Sequence, residues 1–295
     1  MMPDHASIGS NGGTEQGNGM ATAKRRGTMK VVPKRAEPRT RMSADEWKAR
    51  QELACCYRVF DHFGWTSVIF NHITVRVPGE EGRFLINPFG LLYDEVTASN
   101  LVKVDVDGNI VDDSPYPINP AGFCIHSAIH MARHDVHAVT HTHTIEGQAV
   151  SAQEGGLLPV GMAGLGFNDQ IAYHDFEGIS LDLDERERLI RDLGDRNVLI
   201  LRNHGLLTCG PTLPDAFAAM WRLQEACEVQ VLAQAGGGRL VYPGEDVARR
   251  TTQQIRGDAR KAPDAQNRGP RGGVNQMMFD ALTRLMIRKD PGFLQ

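Results

Sequence analysis

Two short β-prone runs, each followed by histidine, constrain the fold of this chain more than any other feature. The first run, His137–Val139, leads directly into the sequence Thr-His-Thr-His-Thr. Because side chains two residues apart on a strand project to one face, His141 and His143 are predicted to point the same way. The second run, Val198–Leu201, is long enough for a buried strand, and His204 follows where it ends. Three imidazoles at strand ends can converge on one divalent ion, and the sequence therefore predicts a metal site.

The alternative interpretation of these histidines is structural. The chain has 11 histidines, and a lone histidine beside an apolar strand is more often a core or surface group than a ligand. The pair spaced by one residue, together with the third histidine in Asn-His-Gly after a second strand, favours the metal site.

Composition excludes several classes of function. The chain has 295 residues, with 41% hydrophobic and 23% charged residues, which is typical of a globular protein. The net charge of −4 gives no basic field for nucleic acid. No apolar run approaches the roughly 20 residues that span a bilayer, so no membrane partner is expected. The five cysteines form no Cys-x-x-Cys pair, which favours reduced thiols in a cytoplasmic protein.

The chain is predicted to have three parts. Residues 1–42 are rich in Gly, Asn, Thr and charge without hydrophobic periodicity, and are expected to form a disordered basic tail. Residues 43–240 carry the periodic segments and are expected to form the main domain. Residues 241–295 are predicted to be a polar C-terminal extension with a final helix at about Asn275–Arg288.

Strand patterns dominate the first half of the main domain, and helices alternate with strands later. A β-rich run covers 66–77, and alternation along it would put Asn71 and His72 on opposite faces. Helices are predicted at 121–133 and 213–235. This order indicates an α/β or α+β domain with a largely antiparallel sheet covered by helices.

Five segments, in this order, resemble the class II aldolase/adducin superfamily, and most closely its adducin-like bacterial branch. They are Gly64–Trp65, Asn71–Arg76, Leu85–Gly90, His141–Thr144 and Arg202–Gly205. The resemblance implies an α/β fold with three αβα layers around a central mixed, largely antiparallel sheet. It also implies a small-molecule substrate and a homo-oligomer, either a tetramer or a dimer.

The resemblance assigns roles to individual residues. His141, His143 and His204 match the family's metal-binding histidines. Asn71 stands where the aldolases contact the substrate phosphate, and Gly90 lies in a loop that helps to line the same pocket. These two residues are therefore candidates for substrate binding. The cofactor implied is a divalent metal, with zinc as the first choice and iron or manganese as alternatives.

One departure from the family leaves the proton carrier open. The sugar aldolases have a carboxylate about 19 residues before the histidine pair, but Pro120–Phe123 contains no acidic residue. The candidates for proton transfer are Glu146, His126, Asp169 and Tyr173. His126 is predicted on the helix before the metal strand, Glu146 lies three residues after His143, and Asp169 and Tyr173 are predicted in a polar loop between elements. Each also has a structural interpretation: Glu146 as a helix-start charge, His126 as a packing residue, Tyr173 as a strand aromatic.

Three functions are consistent with these features. The first is a metal-dependent lyase that performs aldol-type cleavage or decarboxylation of a small hydroxy or keto acid, or of a sugar-like substrate, through a metal-stabilised enolate. The second is a non-haem Fe(II) oxygenase acting on a keto acid, because three imidazoles without a carboxylate also suit iron. The third is a non-catalytic interaction module like the adducin head domain. Retention of all three histidines favours an enzyme.

Overall fold

The computed structural model describes residues 42–180, 183–256 and 273–295. The predicted disordered tail lies outside these ranges except for its last residue. The helices within them are α1 Ala44–His62, α2 Pro120–Ala132, α3 Ile145–Ser151, α4 Gly161–Leu165, α5 Glu185–Leu193, α6 Leu213–Ala235, α7 Glu245–Arg256 and α8 Gly273–Lys289. The strands are β1 Ile73–Arg76, β2 Arg83–Ile86, β3 Val102–Asp105, β4 Ala138–Thr142, β5 Ile171–His174, β6 Val198–Leu201 and β7 Gly205–Gly210.

The strands form one mixed sheet in the described part of the chain. Its seven strands follow the order β3-β2-β1-β4-β7-β6-β5. Every neighbouring pair is antiparallel except β5 and β6, which are parallel. Strand β7 therefore lies between β4 and β6, the two strands that lead to the predicted metal ligands. This sheet confirms the expected mixed, largely antiparallel architecture.

Alternation along the central strands builds the two outer layers. On β6, Val198 and Ile200 join a cluster with α1, α6 and α8, whereas Leu199 and Leu201 join a second cluster with α2 and α5. Successive strand side chains point to opposite faces, so a continuous apolar run is what a strand covered on both faces requires. The result is the three-layer αβα fold that the resemblance implies.

Helix α1 begins directly after Ser43, which caps it. The Ser43 side chain accepts a hydrogen bond from the Glu46 backbone N–H at 3.0 Å, which satisfies a donor that the helix leaves unpaired. The Glu46 carboxylate does not complete a capping box but bonds Arg50 and Lys103 at 2.9 and 2.8 Å.

The β-rich run at 66–77 is shorter as a strand than its composition predicts. Pairing begins only at Ile73, and the preceding residues form a loop in which Val68 has a positive φ of 52°. This backbone turn is incompatible with an extended strand. Asn71 and His72 lie in this loop, so strand alternation does not govern where their side chains point.

The C-terminal residues pack against the main domain. Phe279 and Met286 of α8, with Phe293 beyond it, belong to the same buried cluster as α1 and α6. The predicted final helix falls within α8, while the domain boundary near residue 240 stays a prediction. Across the described residues, none of the helices combines the length and apolarity that a membrane span needs.

Candidate metal centre

Three histidine side chains converge where the interior strands β4, β6 and β7 meet at their ends. His141 lies on β4, His143 follows it, and His204 lies in the turn between β6 and β7. Their Nε2 atoms are close: 2.7 Å separates those of His141 and His143, and 2.9 Å those of His204 and His143. Among the described residues, these three are the group whose ligand atoms could hold a metal ion, with all atoms within 4.8 Å of one another.

The turn that carries His204 depends on its neighbours. Asn203 adopts a left-handed conformation with φ of 54°, which asparagine tolerates better than most residues. A Cβ on Gly205 would lie 2.3 Å from the Thr142 carbonyl oxygen, so the close approach of β7 to β4 requires glycine. The Asn-His-Gly sequence therefore holds His204 against the end of β4.

Hydrogen bonding alone does not satisfy the three Nε2 atoms. The carbonyl oxygen of Leu206 can only accept, so the Nδ1–H of His141 donates to it at 2.8 Å. In a neutral ring this leaves the Nε2 of His141 as a lone pair. The Nε2 of His143 faces this atom and the Nε2 of His204, but it carries either one proton or one lone pair and cannot pair fully with both. A cation between the three nitrogens resolves this arrangement, so the donor set fits a divalent metal.

The electrostatic surroundings keep these imidazoles neutral, which is the form that binds metal. Burial, followed by the proximity of His143 and His204, holds the pKa of His141 well below its usual range. Burial also lowers the pKa of His143. Burial and then His143 and His174 lower the pKa of His204 to about 4. The three imidazoles are therefore in the neutral form that could bind a cation near neutral pH.

A second group of buried histidines runs inward from this cluster. The His72 ring stacks on His141 with centroids 5.0 Å apart, and its Nδ1 lies 2.9 Å from Nε2 of His126. Thr74 Oγ1 lies 2.8 Å from both His126 Nδ1 and His130 Nε2. The four residues form one hydrogen-bonded string between the loop before β1, β1 itself and α2. His126, a predicted proton carrier, therefore lies behind His72.

The His72 ring packs directly against the backbone of Gly122. A Cβ on Gly122 would lie 2.1 Å from Cδ2 and 2.5 Å from Nε2 of His72, which no side chain can do without displacing the ring. Gly122 lies within Pro120–Phe123, the segment where the family resemblance would place the carboxylate of the sugar aldolases. The packed His72 ring leaves no room for an acidic side chain at Gly122. No role was predicted for His72 from the sequence, and the glycine at 122 is the residue that makes room for its ring.

A cavity of about 450 Å³ opens beside the histidine cluster. His72, His143 and His204 line it together with Phe70, Phe89, Ile125, Phe176, Ile179, Ser67, Asn119, Ala121, Gln148, Gly178, Ser180 and Asn203. Its volume lies within the range of small-molecule sites, about 300–1,000 Å³. The cluster therefore faces a space that can receive a reactant.

Glu146 lies on the side of α3 that faces α6. Its Oε2 accepts from the Gln224 Nε2 at 3.4 Å, and Gln224 in turn accepts from Thr144 Oγ1 at 2.6 Å. Glu146 is not part of the cavity wall. Its proposed proton-transfer role stays a prediction without a contact to support it.

Asp169 and Tyr173 lie away from the histidine cluster. Asp169 precedes β5, and the parallel pairing of β5 with β6 puts it at the opposite end of these strands from His204. Tyr173 packs with the cluster on the α6 face, accepts from the Leu157 N–H at 3.1 Å and lies 4.1 Å beneath the Arg202 guanidinium. Both residues line a separate cavity.

The two predicted substrate-binding residues differ in exposure. Asn71 is buried, donates through Nδ2 to the Trp65 carbonyl at 3.3 Å, and leaves its Oδ1 without a partner in the described residues. Gly90 is exposed with φ of 104°. The neighbouring Phe89, not Gly90, lines the 450 Å³ cavity.

Comparison with known proteins gives a family for this fold and site. The sequence model described as Class II Aldolase and Adducin N-terminal domain matches residues 51–231. The chain belongs to this family, which includes metal-dependent aldolases and non-catalytic adducins.

Individual relatives come from both sides of the family. A Pseudomonas aeruginosa protein, assigned by its name provisionally to the class 2 aldolases, is 48% identical over 88% of this chain and 97% of its own length. Alpha-adducin of Mus musculus is 44% identical over 80% of this chain, which spans 32% of that adducin.

Two solved structures share the fold. The crystal structure of an aldolase II superfamily protein from Pseudomonas syringae has a TM-score of 0.79 and 47% identity, covering 87% of this chain and 99% of that one. L-fuculose 1-phosphate aldolase from Glaciozyma antarctica has a TM-score of 0.72 and 27% identity, covering 85% of this chain and 93% of that one.

Proposed function

We propose that this protein is a metal-dependent carbon–carbon lyase. It acts by aldol-type cleavage or decarboxylation on a small hydroxy or keto acid, or on a sugar-like substrate. The observation that carries this proposal is the convergence of the His141, His143 and His204 Nε2 atoms at the wall of a cavity large enough for such a molecule. Family membership supports it, since the family includes aldolases of known structure.

His141, His143 and His204 would hold the cation, with zinc as the first candidate and iron or manganese as alternatives. A bound divalent cation supplies Lewis acidity that stabilises negative charge on substrate oxygens during carbon–carbon cleavage. The Leu206 carbonyl fixes the His141 ring through Nδ1, which orients Nε2 toward the cation site.

His72 is the group that we assign to hydrogen-bond the reacting part of the substrate. It lines the cavity beside two of the proposed ligands, and its Nδ1 is held by His126. The Nε2 lies at the position left open by Gly122 and can hold or pass a proton there. Thr74 and His130 continue the string and fix the orientation of His126.

The remaining polar wall supplies neutral hydrogen-bonding groups. Asn119, Gln148 and Asn203 line the cavity and can bind carboxylate or hydroxyl oxygens. The proposal includes a cytoplasmic location and assembly into a dimer or tetramer.

The experiment that tests this function is a metal-dependent cleavage screen without air. Metal-depleted full-length protein is reloaded with Zn²⁺, Mn²⁺ or Fe²⁺ and incubated with 2-keto acids, 2-hydroxy acids and sugar phosphates, with NMR detection of products. We expect metal-dependent cleavage in the absence of oxygen. His143→Ala should be inactive, and His134→Ala, which changes an exposed histidine outside the cluster, should be active.

Two results would replace the lyase by another function. Turnover only with iron, with one oxygen molecule consumed per product, would show the oxygenase. If the protein binds no stoichiometric metal and converts no substrate, the result would favour an adducin-like interaction module. The similarity to alpha-adducin is the reason for considering this function.

A further inference from the structure

We propose that the cavity beside the histidine cluster selects a substrate with an apolar side chain of about phenyl size, and not a phosphate ester. The acid end of the substrate would lie at the cation site that His143 and His204 help to form, while the apolar group occupies the rest of the cavity. This inference rests on the proposed function and names the substrate class for that site.

Large aromatic and aliphatic side chains line part of this cavity's wall: Phe70, Phe89, Ile125, Phe176 and Ile179. Phe70 and Phe89 pack against each other with ring centroids 6.4 Å apart, and Ile125 of α2 lies on the same wall. The Phe176 ring also lines the cavity and meets the His204 ring edge to face at 6.4 Å. An apolar group in this cavity would touch these rings while staying next to a proposed ligand.

Part of this apolar surface is open to solvent. Phe70 is 52% exposed, Phe176 is 54% exposed and Ile179 is 76% exposed. Exposed aromatic side chains around a concave site gain free energy when a ligand removes them from water. A phosphate would leave this apolar surface exposed to water, so its binding would gain no free energy from apolar burial.

Apart from the proposed metal, the described cavity wall offers no cationic side chain to a phosphate. Among the described residues, neither lysine nor arginine lines it. Arg202, which stands two residues before His204, points elsewhere: its guanidinium covers the Tyr173 ring at 4.1 Å, and Nη1 donates to the Gln153 carbonyl at 2.6 Å. A doubly charged phosphate is normally bound by such charged donors. The neutral wall therefore disfavours a sugar phosphate.

Three matched acids test this inference by binding, without need of turnover. Zn²⁺-loaded full-length protein is titrated calorimetrically with lactate, with phenyllactate, which adds a phenyl ring to lactate, and with phosphoglycolate, which carries a phosphate. We expect phenyllactate to bind at least about tenfold more tightly than lactate, because ring burial adds apolar contact. Phosphoglycolate should bind no more tightly than lactate.

Substitutions in the wall supply the matched control. Phe176→Ser and Phe70→Ser remove half-exposed rings, so the fold should survive, as circular dichroism will check. Each should reduce the preference for phenyllactate over lactate by about fivefold while the lactate affinity stays unchanged. Tyr242→Ser removes a ring that is 50% exposed outside the cavity and should leave the preference unchanged.

The outcomes separate this inference from the proposed function. Equal binding of lactate and phenyllactate, tighter binding of phosphoglycolate, or a preference unaffected by both serine substitutions would overturn the inference while leaving a metal-dependent lyase standing. Metal binding with no binding of any of the three acids would overturn it as well. Failure of the protein to bind Zn²⁺ at all would remove the proposed function and this inference together.

Discussion

Two groups of histidines lie side by side in this molecule and are organised in opposite ways. His141, His143 and His204 aim their Nε2 atoms at a common point, and no arrangement of protons satisfies them all. His72, His126 and His130 instead form a line with Thr74, in which each link is an ordinary hydrogen bond of 2.8–2.9 Å. The converging Nε2 atoms are what a cation site requires. The hydrogen-bonded string instead fixes the orientation of the His72 ring at its end.

Removing one of the three converging histidines should have the largest effect on activity. We expect His143→Ala to reduce the proposed lyase activity at least about 10³-fold, because an incomplete ligand set holds the cation poorly. The fold should persist, since His143 is only partly buried at the end of β4. Activity assays and circular dichroism check both statements. Residual activity within tenfold of the parent protein would contradict the assignment.

A change at the end of the string should reduce activity less. His72→Gln keeps a hydrogen-bonding side chain but loses the imidazole, and we expect kcat to fall about 10²-fold with little change in KM. Metal content should stay at one equivalent. Loss of the metal together with activity would show that His72 belongs with the convergent histidines and not with the string.

The packing of His72 against Gly122 can be tested by one methyl group. Gly122→Ala places a Cβ 2.1 Å from the His72 ring, and we expect a loss of about 1–3 kcal/mol in the free energy of unfolding. Urea denaturation measures it. Gly155→Ala is the matched control, because its Cβ would meet its nearest atom at 3.7 Å. A neutral Gly122→Ala would show that the ring moves freely.

The string should also make stability depend on pH. Burial holds the pKa of His126 and His130 well below the ordinary 6.5, so the unfolded chain takes up protons before the folded one. The free energy of unfolding should therefore fall as the pH drops below about 6.5, by up to about 1.4 kcal/mol per pH unit for each histidine.

This slope is measured by urea unfolding of the metal-free protein from about pH 7.5 to about pH 5, the range in which an ordinary histidine titrates. His130→Leu should flatten it, and His134→Ala, at an exposed position, should not. Stability that is constant or rises toward acid would contradict the account of the buried string.

The strands of the sheet and the pair of His141 and His143 could be predicted from the sequence, because both depend on local patterns. The apolar run of β6 covers two faces, and the spacing of His141 and His143 follows strand alternation. Their meeting with His204 depends on β7 lying between β4 and β6, an order that was not predicted from the sequence.

Proton carriers were harder to predict because they depend on long-range pairing. The parallel register of β5 with β6 puts Asp169 at the far end of the strands, and the face of β5 decides the position of Tyr173. His72 lies in a loop with a positive φ at Val68, which interrupts the expected strand. The short-range pattern at 66–77 contained no sign of that loop.

The most direct test of the central claim is the metal content of the two groups of histidine variants. After Zn²⁺ loading and dialysis, elemental analysis should find one equivalent in the parent protein, in His134→Ala and in His130→Leu. It should find none in His141→Ala, His143→Ala or His204→Ala. Zinc retained by any of those three variants, or lost from folded His130→Leu, would contradict the claim that the convergent histidines bind the cation and the string does not.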